Sequence, residues 1–350
     1  MANPDLADIT MLESASIRAV IAALDHSPIK LVLVVDDSDR LTATVTDGDV
    51  RRGLLGGRKL EDSVSTIARR EFIAVGEKTR SNERDEKLRA FEIDYLPVLD
   101  SNGRVVGLHS GAKRPSQEVK PNTVVIMAGG LGMRLRPMTK TVPKPMLPLA
   151  GKPMLEHVVE GLRDEGFRDI VLSINYLGHK IEHHFGDGST LGVNISYLAE
   201  EKPLGTGGAL SLLTGDFTAP IVVMNGDVLM AAKVSDIVGY HVANGAEITV
   251  GVKVLETQIP YGVVSLEGAR IVGIEEKPTY SDYVNAGVYV IDPAVLPEIP
   301  KGERFDMPDM LTSRIGTTKA LAFPMHESWI DIGRPVDFDR AQQSYQAGKE

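Results

Sequence analysis

The residues best suited to chemistry lie in one stretch, VVIMAGGLGMRLRPMTKTVPKPMLPL, which covers residues 124–149. An apolar run ends there in a glycine-rich turn, Arg134 and Arg136 follow the turn, and Lys144 lies between two prolines. Glycine allows a backbone to bend sharply and to approach a ligand closely. Guanidinium and ammonium groups just past such a turn are typical of sites that bind phosphate. The stretch therefore predicts a site for a ligand dense in negative charge.

The spacing of these glycines excludes two widespread phosphate-binding loops. The Walker pattern G-x-x-x-x-G-K-[ST] is absent from the stretch. The segment GGLGMR also departs from the dinucleotide-binding pattern G-x-G-x-x-G, and no helix with a suitably spaced acid follows it. The glycine turn alone therefore does not identify the phosphate ligand, and further motifs in the chain are needed.

Strand-like and helix-like segments alternate after residue 121, and these elements would position the turn. Five apolar runs rich in β-branched residues predict strands: TVVIMA, DIVLSINY, VNISYLAE, IVVMNGDV and EITVGVKV. Helical patterns lie between them in MLEHVVEGLRDEG and VSDIVGYHVANG. This alternation predicts an α/β fold with a doubly wound, mostly parallel sheet. Ligands of such sheets bind beyond the carboxyl ends of the strands, where the glycine turn falls.

A smaller unit with a weak internal repeat precedes these elements. The segments 29–55 and 93–113 each contain a strand, a polar turn and a second strand, and a helix-like stretch precedes each segment. Two copies of one small unit usually pack together, because neither buries its apolar face alone. We therefore predict a small α+β domain over residues 1–115, a linker over 116–121 and the α/β domain over 122–350.

Composition and charge narrow the class of protein. The 350 residues are 43% hydrophobic and 25% charged, as in an ordinary soluble globular protein, and no apolar run reaches the length of a membrane span. The formal net charge of −10 argues against broad nucleic-acid binding. The chain has no cysteine, which excludes disulfides and thiolate metal sites. Since the N-terminus also lacks the pattern of a secretory signal, we expect a cytoplasmic protein that binds neither membrane nor nucleic acid.

The stretch that begins at the glycine turn resembles the signature of the sugar-1-phosphate nucleotidyltransferases, in particular those like mannose-1-phosphate guanylyltransferase. The resemblance runs from about residue 122 to the C-terminus. It returns in five further motifs in the expected order: EEKPLGTGGAL, VVMNGDVL, PYGVVSLEGARIVGIEEKP, VNAGVYVID and SWIDIGRP. One residue departs from the family pattern, since Met133 stands where the family usually has threonine.

The resemblance implies a reaction between a nucleoside triphosphate and a sugar 1-phosphate that gives a nucleotide sugar and pyrophosphate. Arg134 would bind the β- and γ-phosphates, and Lys144 the α-phosphate or the sugar phosphate. Asp227 and Asp331 would bind Mg²⁺, a hard cation that prefers oxygen ligands. The residues implied in nucleotide binding are Ala128, Gly129, Gly130, Gly132, Met133, Glu200, Gly205 and Thr206.

The same resemblance implies a sugar site built from three motifs. Glu276 and Asn285 would bind sugar hydroxyls, and Lys277 would bind the sugar phosphate as a fourth catalytic residue beside Arg134, Lys144 and Asp227. Gly262 belongs to the same site. Gly205 and Gly287 would allow the backbone to approach the ligand closely.

The residue type at position 200 predicts which base the nucleoside triphosphate carries. Relatives that use dTTP or UTP commonly have glutamine at this position, five residues before the glycine that matches Gly205. A carboxylate only accepts hydrogen bonds, and guanine presents two adjacent donors to it, whereas uracil and thymine present one N–H flanked by carbonyls. We therefore predict GTP, with a UTP- or dTTP-using enzyme as the alternative.

Residues 8–115 resemble a tandem pair of CBS domains. In that family a threonine or serine and an aspartate three residues later contact the ribose of an adenine nucleotide, and Thr46 and Asp49 fit here, with Asp47 beside them. The second copy has Ser110 but Lys113 in place of the aspartate. An adenine nucleotide or a nucleotide sugar is the implied effector, and the alternative is a packing module without a ligand. We also expect a homodimer or a higher homo-oligomer.

CBS pairs ahead of such a transferase resemble the guanylyltransferases of legionaminic acid biosynthesis, which act on glucosamine 1-phosphate. That sugar is the prediction, and mannose 1-phosphate and heptose 1-phosphate are the alternatives. A different class remains open as well, a nucleotide-sensing regulatory protein whose transferase fold is inactive. Retention of the implied catalytic residues, among them Arg134, Lys144 and Asp227, favours the enzyme.

Overall fold

A computed structural model describes residues 6–27, 29–91, 93–110, 119–316 and 320–347. The chain divides into two compact units, residues 1–116 and 117–350. Within the predicted linker, residues 116–118 lie outside the described residues, as does Lys113. No helix in the described ranges is both long enough and apolar enough to cross a bilayer.

The first unit contains two small sheets of the same design. Its elements are α1 (Leu6–Ile9), β1 (Thr10–Leu12), α2 (Ile17–His26), β2 (Leu31–Val35), β3 (Leu41–Thr46), α3 (Asp47–Leu55), β4 (Val75–Gly76), α4 (Ser81–Ala90), β5 (Tyr95–Leu99) and β6 (Val105–Ser110). The sheet orders are β1-β2-β3 and β4-β5-β6, and in each sheet the first pair is parallel and the second antiparallel. The repeat in the sequence thus corresponds to a repeated strand arrangement. The assignment of this unit as a CBS pair stays a prediction.

The second unit carries the remaining elements. They are β7 (Val124–Met127), β8 (Pro148–Leu149), β9 (Lys152–Pro153), α5 (Met154–Asp164), β10 (Asp169–Ile174), α6 (Gly178–Phe185), β11 (Asn194–Ala199), α7 (Gly205–Gly208), β12 (Ile221–Asn225), β13 (Val228–Met230), α8 (Val234–Ala243), β14 (Ile248–Gln258), β15 (Gly262–Glu267), β16 (Arg270–Glu276), β17 (Thr279–Ile291), α9 (Met307–Thr312), β18 (Ala320–Met325), β19 (Trp329–Asp331) and α10 (Pro335–Ala347). The five strands predicted from the sequence appear as β7, β10, β11, β12 and β14.

A seven-stranded sheet with the order β11-β10-β7-β12-β17-β14-β18 forms the centre of this unit. Strand β17 is antiparallel to both of its neighbours, and the other four pairings are parallel. Six strands therefore run in one direction and β17 runs against them, so the predicted mostly parallel sheet is a mixed sheet with one reversed strand. The carboxyl end of β7, where the glycine turn begins, lies between the ends of β10 and β12.

Alternate residues of the central strands face two separate cores. Val124 and Ile126 of β7 pack with the apolar residues of α5 and α8, whereas Val125 packs on the other face with Met307 and Met310 of α9. All three β7 residues have no exposed surface. A strand buried on both faces reads as a continuous apolar run, which is why the sequence showed no alternation there. The glycine turn therefore begins at the end of a strand that is buried on both faces.

Candidate active site

The glycine turn after β7 is held against the segment that carries Lys144. Gly132 has a φ of +60°, and a Cβ at that position would lie 2.9 Å from Thr139 Cγ2 and 3.2 Å from the Cβ of Lys144. The hydroxyl of Thr139 donates to the carbonyl oxygen of Gly132 at 2.7 Å. Only glycine fits this left-handed, crowded position without strain. The turn and the lysine therefore form one packed piece of structure.

A cavity of about 310 Å³ opens between this turn and the end of β12. It is lined by Gly130, Leu131, Gly132, Met133, Arg134, Leu135, Lys144, Asp227 and Gly333. Arg134 is exposed toward solvent, and a Cβ at Gly333 would lie 3.4 Å from one of its guanidinium nitrogens. Met133, which also lines the cavity, is 54% exposed. The structure thus brings Arg134, Lys144 and Asp227 to one cavity, although they are up to 93 residues apart in sequence.

Two aspartates come together through a short antiparallel ribbon. Asp227 lies two residues after the end of β12 and directly before β13, and in the ribbon of β13 and β19 Val228 pairs with Asp331. The N–H of Ile332 donates to the carbonyl oxygen of Asp227 at 3.1 Å. Lys144 Nζ forms an ion pair with Asp227 Oδ2. A strand end and a distant ribbon therefore place both carboxylates and the buried ammonium in one neighbourhood.

The electrostatics of Asp331 suit a cation. Burial raises the pKa of Asp331 above its usual value, the negative charge of Asp227 raises it further, and the charges of Lys144 and Arg134 oppose both effects. Two carboxylates that repel each other in a partly desolvated cleft are stabilised by a divalent cation between them. The pair of aspartates therefore fits the Mg²⁺ that the sequence predicts at this position.

A second cavity of about 180 Å³ lies beside the ribbon. Its lining includes Thr206, Asn285, Gly287 and Asp331, all predicted site residues, and Tyr289 and Trp329, which the sequence did not single out. Asn285 Oδ1 accepts from the N–H of Gly287 at 2.9 Å, and its Nδ2 donates to the hydroxyl of Tyr289 at 2.7 Å. Asp331 is the predicted metal ligand that lines this second cavity, as Asp227 lines the first.

The segment from Leu204 to Gly208 is hydrogen-bonded to residues 305–307. Gly205 has a φ of +83°, and a Cβ there would lie 2.7 Å from the carbonyl oxygen of Phe305. The N–H and hydroxyl of Thr206 donate to Asp306 Oδ1 at 2.8 and 3.2 Å. The close neighbours of Gly205 in the structure thus belong to the protein's own chain, and its approach to a ligand stays a prediction. Asp306 was missed because nothing in its local pattern DMPD points to a residue 100 positions away.

Glu200 lies beneath the glycine turn and is already hydrogen-bonded. Its Oε1 accepts from the hydroxyl of Ser173 at 2.6 Å, and its Oε2 accepts from the N–H of Leu204 at 2.8 Å. A Cβ at Gly129 would lie 3.1 Å from Oε1. The carboxylate therefore links the turn, the end of β10 and the Leu204 segment. Each oxygen keeps a further lone pair for another donor.

The three other predicted sugar-site residues lie on an exposed hairpin. Gly262 on β15 pairs with Glu276 on β16, and Lys277 follows with a φ of +48°. Gly262, Glu276 and Lys277 are all exposed, and within the described ranges none of them lines either cavity. The structure therefore separates the predicted sugar site into Asn285 and Gly287 at the second cavity and three residues on the hairpin.

In the first unit the predicted effector residues surround the start of α3. Asp49 is buried, and its Oδ2 accepts from the N–H of Thr46 at 2.9 Å and from the hydroxyl of Thr46 at 2.7 Å. Its Oδ1 forms an ion pair with Arg52 and lies 3.6 Å from Arg69 Nε. Asp47 is the first residue of the helix. Thr46 and Asp49 thus stabilise the helix start, whatever else they bind.

Comparison with known proteins finds nucleotidyl transferases as relatives of the second unit. Residues 123–348 match the family described as nucleotidyl transferase. Mannose-1-phosphate guanylyltransferase of Mycobacterium tuberculosis is 37% identical over 227 residues, which are 62% of this chain and 62% of that protein. D-glycero-alpha-D-manno-heptose 1-phosphate guanylyltransferase of Aneurinibacillus thermoaerophilus is 32% identical over 225 residues, which are 63% of this chain and 97% of that protein. The chain thus spans less than two thirds of the length of the mannose-type relative.

Solved structures show the same fold. The crystal structure of HddC from Yersinia pseudotuberculosis matches with a TM-score of 0.52 and 26% identity, and the match covers 64% of this chain and 99% of that one. A second crystal structure of the same protein, complexed with GMP-PN, matches with a TM-score of 0.51 and 25% identity.

Proposed function

Because the chain belongs to the nucleotidyl transferase family, we propose that it joins a nucleoside monophosphate to a sugar 1-phosphate and releases pyrophosphate. One observation carries the proposal: Arg134, Lys144 and Asp227 line a single cavity at the carboxyl end of the central strands. Two cations and a carboxylate at that place suit a triphosphate with its metal ion. The cavity volume of about 310 Å³ is in the usual range for a small-molecule site.

The proposed reaction balances as an in-line displacement. A phosphate oxygen of the sugar 1-phosphate forms a bond to the α-phosphorus, the bond from the α-phosphorus to the bridging oxygen breaks, and pyrophosphate leaves with that oxygen. Both partners are anions, so positioning and charge neutralisation supply most of the catalysis. Arg134 binds the departing β- and γ-phosphates with two parallel N–H groups, and Lys144 neutralises the phosphates that react.

Asp227 and Asp331 are the proposed metal ligands. Members of this family typically use a divalent metal ion, and we propose Mg²⁺. When bound, the ion would supply positive charge to the phosphate oxygens at the reacting centre. The carboxylates of the chain would hold it, and the ion pair with Lys144 orients the Asp227 carboxylate.

GTP is the proposed nucleotide. Several relatives are named as guanylyltransferases, and Glu200 offers acceptors where guanine has donors. The bonds from Ser173 and Leu204 would hold the carboxylate of Glu200 in one orientation, and such preorganisation increases discrimination between bases.

For the sugar, the sequence predicts glucosamine 1-phosphate. Mannose 1-phosphate and heptose 1-phosphate are equally supported candidates, because the names of relatives contain these sugars.

For the first unit we propose a CBS pair with an adenine nucleotide or a nucleotide sugar as effector near Thr46, Asp47 and Asp49. The repeated sheet design and the neighbouring arginines Arg52 and Arg69 support a site for an anion there. A homodimer or higher homo-oligomer and a cytoplasmic location stay predictions from the sequence.

Pyrophosphate release tests the enzyme proposal. The assay crosses GTP, UTP, dTTP, CTP and ATP with glucosamine, mannose, glucose and heptose 1-phosphates in the presence of Mg²⁺. We expect release with GTP and one sugar. Lys144→Met should lower kcat/KM at least about 100-fold, since it removes a charge that acts on the transition state. Lys140→Met is the matched control, because Lys140 is exposed on the neighbouring turn and lines neither cavity.

Two results would count against the proposal. No release in any well moves the assignment to the nucleotide-sensing protein with an inactive transferase fold. Equal losses in Lys144→Met and Lys140→Met would show that Lys144 has no special role.

A further inference from the structure

Strand β17 contains a bulge at the wall of the second cavity. Val250 of β14 pairs with Tyr289, and Val252 pairs with Asn285, so a two-residue step on β14 faces a four-residue step on β17. Residues four apart in a regular strand are about 13 Å apart. Here the bulge brings them close enough for Asn285 Nδ2 to donate to the Tyr289 hydroxyl at 2.7 Å. Bulges next to active sites commonly re-aim a side chain in this way.

Three close contacts fix the shape of the bulge. Gly287 has a φ of +74°, and a Cβ there would lie 2.6 Å from Asn225 Nδ2. A Cβ at Gly251, on the facing strand, would lie 2.5 Å from Val288 Cγ1. Trp329 Nε1 donates to the carbonyl oxygen of Ala286 at 3.0 Å. The bulge is therefore a packed feature that only glycine at these two positions permits.

The amide of Asn285 has its two ends fixed by different partners. The N–H of Gly287 donates to its oxygen at 2.9 Å, which identifies the oxygen end of the amide, and the Tyr289 hydroxyl accepts from its nitrogen. An asparagine amide has two N–H donors and two acceptor lone pairs. One N–H and one lone pair therefore remain for a ligand in the cavity. A remaining donor and a remaining acceptor on one amide suit the hydroxyls of a sugar ring, which can accept and donate.

We propose that Tyr289 is a positioning residue of the sugar cavity, whose hydroxyl oxygen holds Asn285 so that its amide reads two adjacent ring hydroxyls of the sugar 1-phosphate. The inference rests on the proposed function. Tyr289 is 4% exposed, and burial raises the pKa of its hydroxyl, so the side chain stays neutral at physiological pH. Since Tyr289 acts through Asn285, its removal should weaken sugar binding and leave the nucleotide site unchanged.

Steady-state kinetics of the full chain test this role. With GTP and whichever panel sugar 1-phosphate turns over best, Tyr289→Phe should raise KM for the sugar about tenfold, the equivalent of about 1.4 kcal/mol. We expect kcat and KM for GTP to change less than about twofold. Tyr240→Phe is the control, because Tyr240 lines neither cavity and its ring packs on Phe323 at 5.5 Å. Thermal melts of both variants check that the fold is retained.

A double-mutant cycle separates positioning from general packing. In an Asn285→Ala background, Tyr289→Phe should change KM for the sugar less than about twofold, since the residue that it positions is gone. An unchanged KM in the single variant overturns the inference, and so does an equal rise in both backgrounds. Either result leaves the proposed function intact, because wild-type turnover is measured in the same plate.

A wild type that turns over no sugar in the panel contradicts the proposed function, and calorimetry then decides the inference. The probes are mannose 1-phosphate and glucosamine 1-phosphate, titrated into wild type and Tyr289→Phe. Weaker binding to the variant supports the inference. Equal binding to both proteins, or no binding to the wild type, overturns it.

Discussion

At the scale of single residues, Lys144 is held on two sides. It is 9% exposed, its ammonium is paired with Asp227, and its Cβ lies 3.2 Å from where a side chain on Gly132 would begin. A charge in a partly desolvated position interacts more strongly with other charges than one in water does. The packing that requires glycine at position 132 thus also places the ammonium of Lys144 where we expect it to act strongly on a phosphate in the cavity.

The burial of His241 predicts that the stability of the fold depends on pH. His241 is 2% exposed on α8, its Nδ1 lies 3.0 Å from Thr249 Oγ1, and burial lowers its pKa below the ordinary 6.5, against the opposing charge of Asp292. Below pH 6.5 the unfolded chain takes up a proton that the folded chain excludes, so stability falls as pH falls. We expect this residue to cost up to about 1.4 kcal/mol per pH unit in that range.

Urea unfolding at pH 7.5 and 5.5 measures the effect of His241. The loss of unfolding free energy on acidification should be smaller in His241→Gln, which cannot titrate. His179→Gln, at an exposed position on α6, should lose as much as wild type. Equal losses in wild type and His241→Gln would contradict the prediction.

At the scale of elements, α8 depends on a carboxylate from outside the helix. Glu165, just after α5, accepts from the N–H of Val234 at 3.1 Å and from the N–H of Ser235 at 2.7 Å. These are among the first N–H groups of α8, which have no partner within the helix. Burial raises the pKa of Glu165, and the bonds from Ser235 and Val234 lower it in part. Glu165 thus joins the ends of two helices that pack on the same core.

Removal of this capping side chain should destabilise the second unit. We expect Glu165→Ala to lower the unfolding free energy by about 1–2 kcal/mol, since two N–H groups lose their acceptor, and Glu165→Gln to cost less because it keeps one acceptor. Asp164→Ala, at the exposed neighbouring position, is the matched control. Denaturant melts measure all three variants. A loss in Asp164→Ala equal to that in Glu165→Ala would show that the capping bonds do not stabilise the unit.

The sequence predicted the local elements well and the pairings between distant elements poorly. Strands such as β7 and β12 could be predicted, because a continuous apolar run of this kind is typical of a strand buried on both faces of a sheet. The reversed direction of β17 left no local signal, because strand direction depends on which connection the chain takes and not on side-chain pattern. The same holds for the bond between Thr206 and Asp306, which joins residues 100 positions apart.

The candidate site shows the same division between motif and geometry. The motifs identified Lys144 and Asp227, and the structure places them in contact. Tyr289 lies inside the motif VNAGVYVID, yet its hydroxyl reaches the amide of Asn285 only because of the bulge around Gly287. The positive φ of Gly287, two residues from both Asn285 and Tyr289, is the signal that points to the bulge, and that angle is a property of the fold.

At the scale of the whole molecule, the division into two units separates the proposed chemistry from the proposed regulation. Every residue assigned to substrate or metal lies between 128 and 331, in the unit that holds both cavities. Thr46, Asp47 and Asp49 lie in the other unit. Each unit has its own buried clusters of apolar residues. We therefore expect the proposed catalysis to need only the second unit, whereas an effector bound to the first unit would act on it through a coupling between sites.

Comparison of the full chain with a fragment of residues 117–350 tests that division. We expect the fragment to keep kcat within about threefold, because its cores and cavities are complete.

An effector changes affinity elsewhere by a coupling free energy of typically about 1–3 kcal/mol, or about 5- to 150-fold. ATP, AMP or the nucleotide-sugar product, titrated at fixed substrate, should shift KM of the full chain by about fivefold or more through the first unit. Asp49→Asn in the full chain should reduce this shift, whereas Asp94→Asn, at an exposed position just before β5, should not. An identical response of fragment and full chain would place all effects of these nucleotides in the active site itself, and the first unit would then be a packing module.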